Sequence, residues 1–155
     1  MQVKLTIKYR GLRSAALAVL FMTSAAQAAE PLVIDVHRDA NCGCCKQWIK
    51  HLEANGFEVR DHLESNMTAV KQRLGVAPRL ASCHTGVIDG KFVEGHVPAV
   101  QVLEMKNHSD LLGMAVSGMP AGSPGMEYGQ VRHPYQVAGL TSSGSDRVIA
   151  NYPAN

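Results

Sequence analysis

Apolar and polar positions along this chain form short blocks whose period switches between the strand value of two and the helical 3.6. Leu32 to His37 is a β-branched apolar run, which predicts a buried strand. From about Cys44 the apolar positions Cys45, Trp48, Ile49 and Leu52 recur at helical spacing, and Gly56 stands where a helix would stop. Phe57 to Leu63 alternates as a half-buried strand does. Ser65 or Asn66 can cap a second helix with apolar positions Met67, Val70 and Leu74. After the break at Val76-Ala77-Pro78, the runs Cys83 to Ile88 and Lys91 to Val97 flank Asp89-Gly90, a strong two-residue hairpin signal. Pro98 suits the first turn of a third helix reaching about Lys106 through Ala99, Val102 and Leu103.

The order strand, helix, strand, helix, hairpin, helix is that of a thioredoxin-like α/β domain, a mixed sheet with helices on its faces. A helix between the first two strands implies that they pair in parallel through a right-handed crossover. Past Lys106 the pattern changes. Leu111 to Val116 reads as another short strand, and residues 118–129 are too rich in Gly and Pro for a regular helix. Tyr135 to Leu140 and Arg147 to Tyr152 flank Ser142-Ser143-Gly144-Ser145 and predict a C-terminal hairpin. The expected organisation is one domain over residues 29–155, with a core at about 32–127 and a β extension at about 130–155.

The first 28 residues read as an export signal. Lys4, Lys8, Arg10 and Arg13 precede a short apolar stretch from Ala15 to Ala26, and Ala26-Gln27-Ala28 is a small-x-small cleavage pattern. The stretch is short of the roughly 20 apolar residues that span a bilayer, so no stable membrane insertion is expected after cleavage. Cleavage would remove four basic residues of 15, leaving 11 against 13 acidic ones and turning a net +2 into −2. The basic balance therefore belongs to the signal, and no basic patch argues for nucleic acid or acidic lipid.

The chemistry is concentrated in sulfur. Cys42-Gly43-Cys44-Cys45 places three thiols in four positions at the expected start of the first helix, and Cys83 adjoins His84. Unpaired N–H groups and the positive end of the helix dipole stabilise thiolate there, which serves a metal ligand and a nucleophile equally. Exported thiols tend to become disulfides unless they cycle or hold a metal. Two ordinary bridges, Cys42–Cys45 with Cys44–Cys83, are the plain alternative. Disulfide exchange needs only two thiols, whereas a soft-metal site gains from Cys44 as a third. Placed on a strand from Cys83, alternation would send Cys83 and His84 to opposite faces. His96 lies in Glu94-Gly95-His96-Val97-Pro98, either as a turn histidine or as a ligand. His51, His62, His108 and His133 read as solvent-facing. Methionine usually fills apolar gaps. Met119 and Met126, however, sit in a Gly/Pro-rich segment that builds no core, where thioethers suit Cu(I). A Cys₃His zinc set ranks lower, since it lacks paired knuckles and leaves the methionines unused.

Taken in order, Cys42-Gly43-Cys44-Cys45-Lys46-x-Trp48, Gly56-Phe57, Ser82-Cys83-His84-Thr85, Glu94-Gly95-His96-Val97-Pro98 and Gly118-Met119-Pro120-x-Gly122-Ser123-Pro124-Gly125-Met126 resemble the CopG-type periplasmic copper-resistance proteins, a family long carried as a domain of unknown function. The resemblance covers roughly residues 32–127. Ala77-Pro78-Arg79-Leu80-Ala81 departs from the family's usual pattern and leaves the role of Pro78 open. The resemblance implies a thioredoxin-like domain binding Cu(I), with several ions bridged by thiolates and interconversion of Cu(I) and Cu(II), in the copper resistance of a Gram-negative periplasm. By motif it makes Cys42, Cys44, Cys45 and Cys83 the primary ligands, with Met126, Met119, His84 and His96 secondary. Copper ions, and other periplasmic copper-handling proteins, are the implied partners. The competing reading is a thiol–disulfide oxidoreductase that attacks with Cys42 and resolves with Cys45.

Overall fold

A computed structural model describes residues 31–154, so the expected export signal at 1–28 lies outside the described residues. No helix among the described residues is long and apolar enough to cross a membrane. The elements are β1 (Leu32–Arg38), α1 (Gly43–Ala54), β2 (Phe57–Leu63), α2 (Met67–Arg73), β3 (His84–Ile88), β4 (Lys91–Glu94), α3 (Ala99–Glu104), β5 (Leu111–Ala115), β6 (Tyr135–Thr141) and β7 (Asp146–Tyr152), with 3-10 turns at Pro78–Leu80 and Met105–Asn107. They form the expected mixed α/β fold. One seven-stranded sheet runs in the order β2-β1-β3-β4-β5-β6-β7.

β1 and β2 pair in parallel across α1, from Leu32 opposite Phe57 to Arg38 opposite Leu63. β3 and β4 form the hairpin turned at Asp89-Gly90, where both residues take positive φ, +50° and +73°, as a type I′ turn requires. β4 stops at Glu94 rather than continuing to Val97. The C-terminal hairpin does not stand apart: β6 pairs antiparallel with β5 and extends the same sheet.

Strand alternation sorts the core into two layers. On one face Ile34, Val36, Val93 and Met114 pack with Trp48, Ile49 and Leu52 of α1 and with Ala99 and Val102 of α3. On the other face Phe92, Ala115 and Leu140 pack with Val76 and Leu80. All four predicted apolar positions of α1 are buried, and Cys45, Trp48 and Leu52 are fully so. Asn66 caps α2, its side-chain oxygen accepting from Ala69 N–H at 3.0 Å. Pro78 opens its 3-10 turn in the trans form.

His51 departs from its solvent-facing expectation. Half-buried in α1, its Nε2 accepts the Ala99 N–H at 3.0 Å and satisfies the first turn of α3. Burial holds the imidazole below its usual range, against the opposing pull of the Glu127 carboxylate. A folded value below the unfolded 6.5 means that the unfolded chain binds the proton more readily. The stability from this group is thus complete above the unfolded value and is lost as pH falls through the lower folded one. His51→Gln keeps an acceptor but does not titrate. The stability difference between wild type and His51→Gln, measured by urea unfolding across this window, should shrink as pH falls. A constant difference would show that the ring titrates alike in both states.

Candidate metal centre

The end of β1 and the start of α1 build one wall of the site. Arg38, 5% exposed, bonds Asp61 Oδ2 at 2.6 Å and grips the carbonyls of Asp39 and Ala40 at 3.0 and 3.3 Å. This fixes the turn that delivers Cys42 to the N-cap of α1, with Cys44 and Cys45 in its first turn. Cys42 and Cys45 are joined as a disulfide with Cα atoms 5.3 Å apart, while Cys44 and Cys83 are free thiols.

The second wall is the segment entering β3. The strand begins at His84, not Cys83, so strand alternation does not govern Cys83. The expectation that Cys83 and His84 diverge is therefore corrected: Cys83 Sγ lies 3.2 Å from His84 Nδ1. It also lies 3.2 Å from His96 Nε2, and Cys44 Sγ stands 3.9 Å from Cys83 Sγ and 3.6 Å from Cys42 Sγ. Two overlapping sets result, Cys42/Cys44/Cys45/Cys83 and Cys83/His84/His96, each with ligand atoms within 4.8 Å of one another. Cys83 belongs to both.

Burial disfavours the charged forms of Cys83, His84 and His96. Burial, reinforced by the neighbouring Cys44, pushes the Cys83 thiol up to about 12. Burial holds both His84 and His96 below the ordinary imidazole range, His84 well below it with help from His96 and Lys71. Neutral imidazoles keep a lone pair for a metal. His96 Nδ1 donates to the Pro124 carbonyl at 2.8 Å, which leaves Nε2 as the acceptor facing Cys83. His84 is fully buried against the Trp48 ring, centroids 4.3 Å apart, and its Nε2 has no hydrogen-bond partner.

The Gly/Pro-rich segment forms the third wall. Gly125 packs its backbone on the first turns of α1: a Cβ there would sit 2.7 Å from Trp48 N and 3.0 Å from Cys44 O. Ser82 Oγ donates to the Gly118 carbonyl, tying the segment to the Cys83 loop. Met126 follows Gly125 and is half-buried, whereas Met119 is 55% exposed.

Sequence reasoning missed the support beneath the site. Glu94 is completely buried, and its Oε1 accepts from Lys71 Nζ at 2.5 Å and from Ser82 N–H at 2.6 Å, while Oε2 accepts from Thr85 Oγ1 at 2.6 Å. A carboxylate directly after the apolar pair Phe92-Val93 was the available signal, since such a group is buried only when partnered.

A mixed sheet that gathers four cysteines and two buried imidazoles at one end defines a class, proteins able to hold a soft metal or exchange thiols. Two solved structures of copper resistance protein CopG, its forms 1 and 2, are each 68% identical to this chain. They match 80% of this chain and 99% and 100% of their own lengths, with TM-scores of 0.78 and 0.79. A family described as a protein of unknown function, DUF411, matches residues 80–126. Comparison with curated proteins gives no match. The chain belongs to the CopG-type family of copper-resistance proteins.

Proposed function

We propose that this protein is exported to the periplasm and acts in copper resistance by binding Cu(I) through Cys42, Cys44, Cys45 and Cys83, with His84, His96, Met126 and Met119 as secondary ligands. The observation that carries this reading is the convergence of four sulfurs within 4.8 Å, although Cys83 is remote from the others in sequence. Thiolates are soft donors matched to Cu(I), and each Cu⁺ neutralises one thiolate. A cluster of ions bridged by sulfur thus avoids crowding uncompensated negative charges. Carried on a thioredoxin-like arrangement, the Cys42–Cys45 pair couples metal to redox state. Two Cu(II) take one electron each from the two thiols, giving two Cu(I), the disulfide and two protons; the reverse regenerates the dithiol.

The joined C-x-x-C pair at a helix start favours one second reading, a thiol–disulfide oxidoreductase. Cys44 separates the two. Titration of the fully reduced protein with Cu(I) against a chromogenic chelator should show more than one ion per chain. Cys44→Ser should lower the affinity at least about 100-fold, beyond the 10–100-fold that loss of an outer-shell partner costs. Unchanged copper binding in Cys44→Ser, together with catalysed reduction of a disulfide substrate, would establish the oxidoreductase instead.

A further inference from the structure

With Cys42 and Cys45 joined, two of the four sulfurs cannot serve as thiolate ligands, yet the pocket keeps donors of a different character. We infer that the disulfide form holds a separate mononuclear site, made by Cys83, His84 and His96, for a divalent ion of borderline softness, Zn(II) or Cu(II). The inference rests on the metal-handling function proposed above and adds a second metal class to it. One sulfur with two imidazole nitrogens is a nitrogen-rich set, suited to such divalent ions rather than to Cu(I) alone.

The distances fit. On a tetrahedral zinc-sized ion, bonds of about 2.3 Å to sulfur and 2.0 Å to nitrogen hold the two atoms about 3.5 Å apart. Cys83 Sγ is 3.2 Å from each of the two ring nitrogens, so the pocket needs to open only slightly. The rings are already aimed. The Pro124 carbonyl fixes the His96 tautomer with Nε2 inward, the outer-shell arrangement that metal-binding histidines use. His84 is fully buried with its Nδ1 turned to the Cys83 sulfur, so an ion held at Nδ1 meets the same sulfur that His96 Nε2 faces. Cys44 Sγ, 3.9 Å from Cys83 Sγ, stands next in reach for the fourth position, since two thiolates on one tetrahedral ion lie about 3.8 Å apart. Binding is coordination without electron transfer. The Cys83 S–H bond breaks, the metal–sulfur bond forms, and one proton leaves to solvent. The redox state of Cys42–Cys45 thereby selects which class of metal the pocket holds.

Co(II), a spectroscopic probe for such sites, tests this on protein verified to carry the Cys42–Cys45 disulfide and two free thiols. One Co(II) per chain is expected, with a sulfur-to-cobalt charge-transfer band and intense tetrahedral d–d bands that Zn(II) abolishes by displacement. Cys83→Ser should remove the charge-transfer band and weaken binding at least about 100-fold. Cys42→Ser/Cys45→Ser should keep the cobalt spectrum while losing Cu(I) capacity, which shows that Cys42 and Cys45 are not among the cobalt ligands. No Co(II) uptake by the disulfide form, or a spectrum indifferent to Cys83→Ser, overturns the inference. Cu(I) uptake by the reduced protein without Co(II) uptake by the disulfide form sinks this inference alone. Absence of Cu(I) uptake sinks the copper function, and the cobalt spectrum still decides this one.

Discussion

Glu94→Ala should lower the free energy of unfolding by about 3–5 kcal/mol, the range for removing one partner of a buried ion pair. The carboxylate is fully buried and Lys71 nearly so, with 14% of its side chain exposed. Truncation leaves the ammonium with only the Thr85 hydroxyl at 3.0 Å and strips the acceptor from the Ser82 N–H. Urea unfolding, with m compared between variants, measures the loss. Replacing both partners by apolar residues, Lys71→Met with Glu94→Leu, should recover much of it, because the penalty comes from the orphaned charge. A loss under about 1 kcal/mol for Glu94→Ala would mean that the pair is effectively solvated. A second readout reaches the site. Ser82 directly precedes Cys83, so Glu94→Ala should also weaken Cu(I) binding, and Glu94→Gln, which keeps an acceptor for Ser82 N–H, should restore more of the copper affinity than of the stability.

The elements were legible because each rests on local pattern. The buried stripe of α1, the Asp89-Gly90 turn and the alternation in β6 and β7 are short-range signals, and the strands and helices stand within a few residues of where periodicity put them. The cysteine group was legible for the same reason in its first three members. What failed depends on where a strand begins. One residue of difference at the entrance to β3 takes Cys83 out of the alternation, and with it goes the expected separation from His84. What was missed depends on contacts between distant segments. No local rule says that Glu94 reaches back to Ser82 and Lys71, that His51 of α1 satisfies the N-terminus of α3, or that the Pro124 carbonyl sets the tautomer of His96. The Gly/Pro-rich segment shows the limit most clearly. Its composition excluded a helix, but only the fold reveals that Gly125 is pressed against the helix bearing the cysteines.

That contact sets the last large effect. Gly125→Ala should cost about 2–5 kcal/mol, combining about 1–2 kcal/mol for an alanine at positive φ with about 1–3 for overpacking. Gly125 has φ +84°, and the atoms that a Cβ would meet, Trp48 N and Cys44 O, are backbone of α1 and cannot rotate away. Gly118→Ala is the matched control. It has φ +71° with nothing within 4 Å of the added Cβ, so it carries the conformational cost, about 1–2 kcal/mol, without the clash. The difference between the two variants isolates the seating of the segment on α1. Relieving the clash lifts the segment and draws the Pro124 carbonyl from His96 Nδ1. Gly125→Ala should therefore also weaken Cu(I) binding about 10- to 100-fold, as loss of an outer-shell partner does, while Gly118→Ala leaves it near wild type. Equal losses in the two variants, in stability and in copper affinity alike, would show that the segment does not bear on the cysteine helix and that the third wall of the site is dispensable.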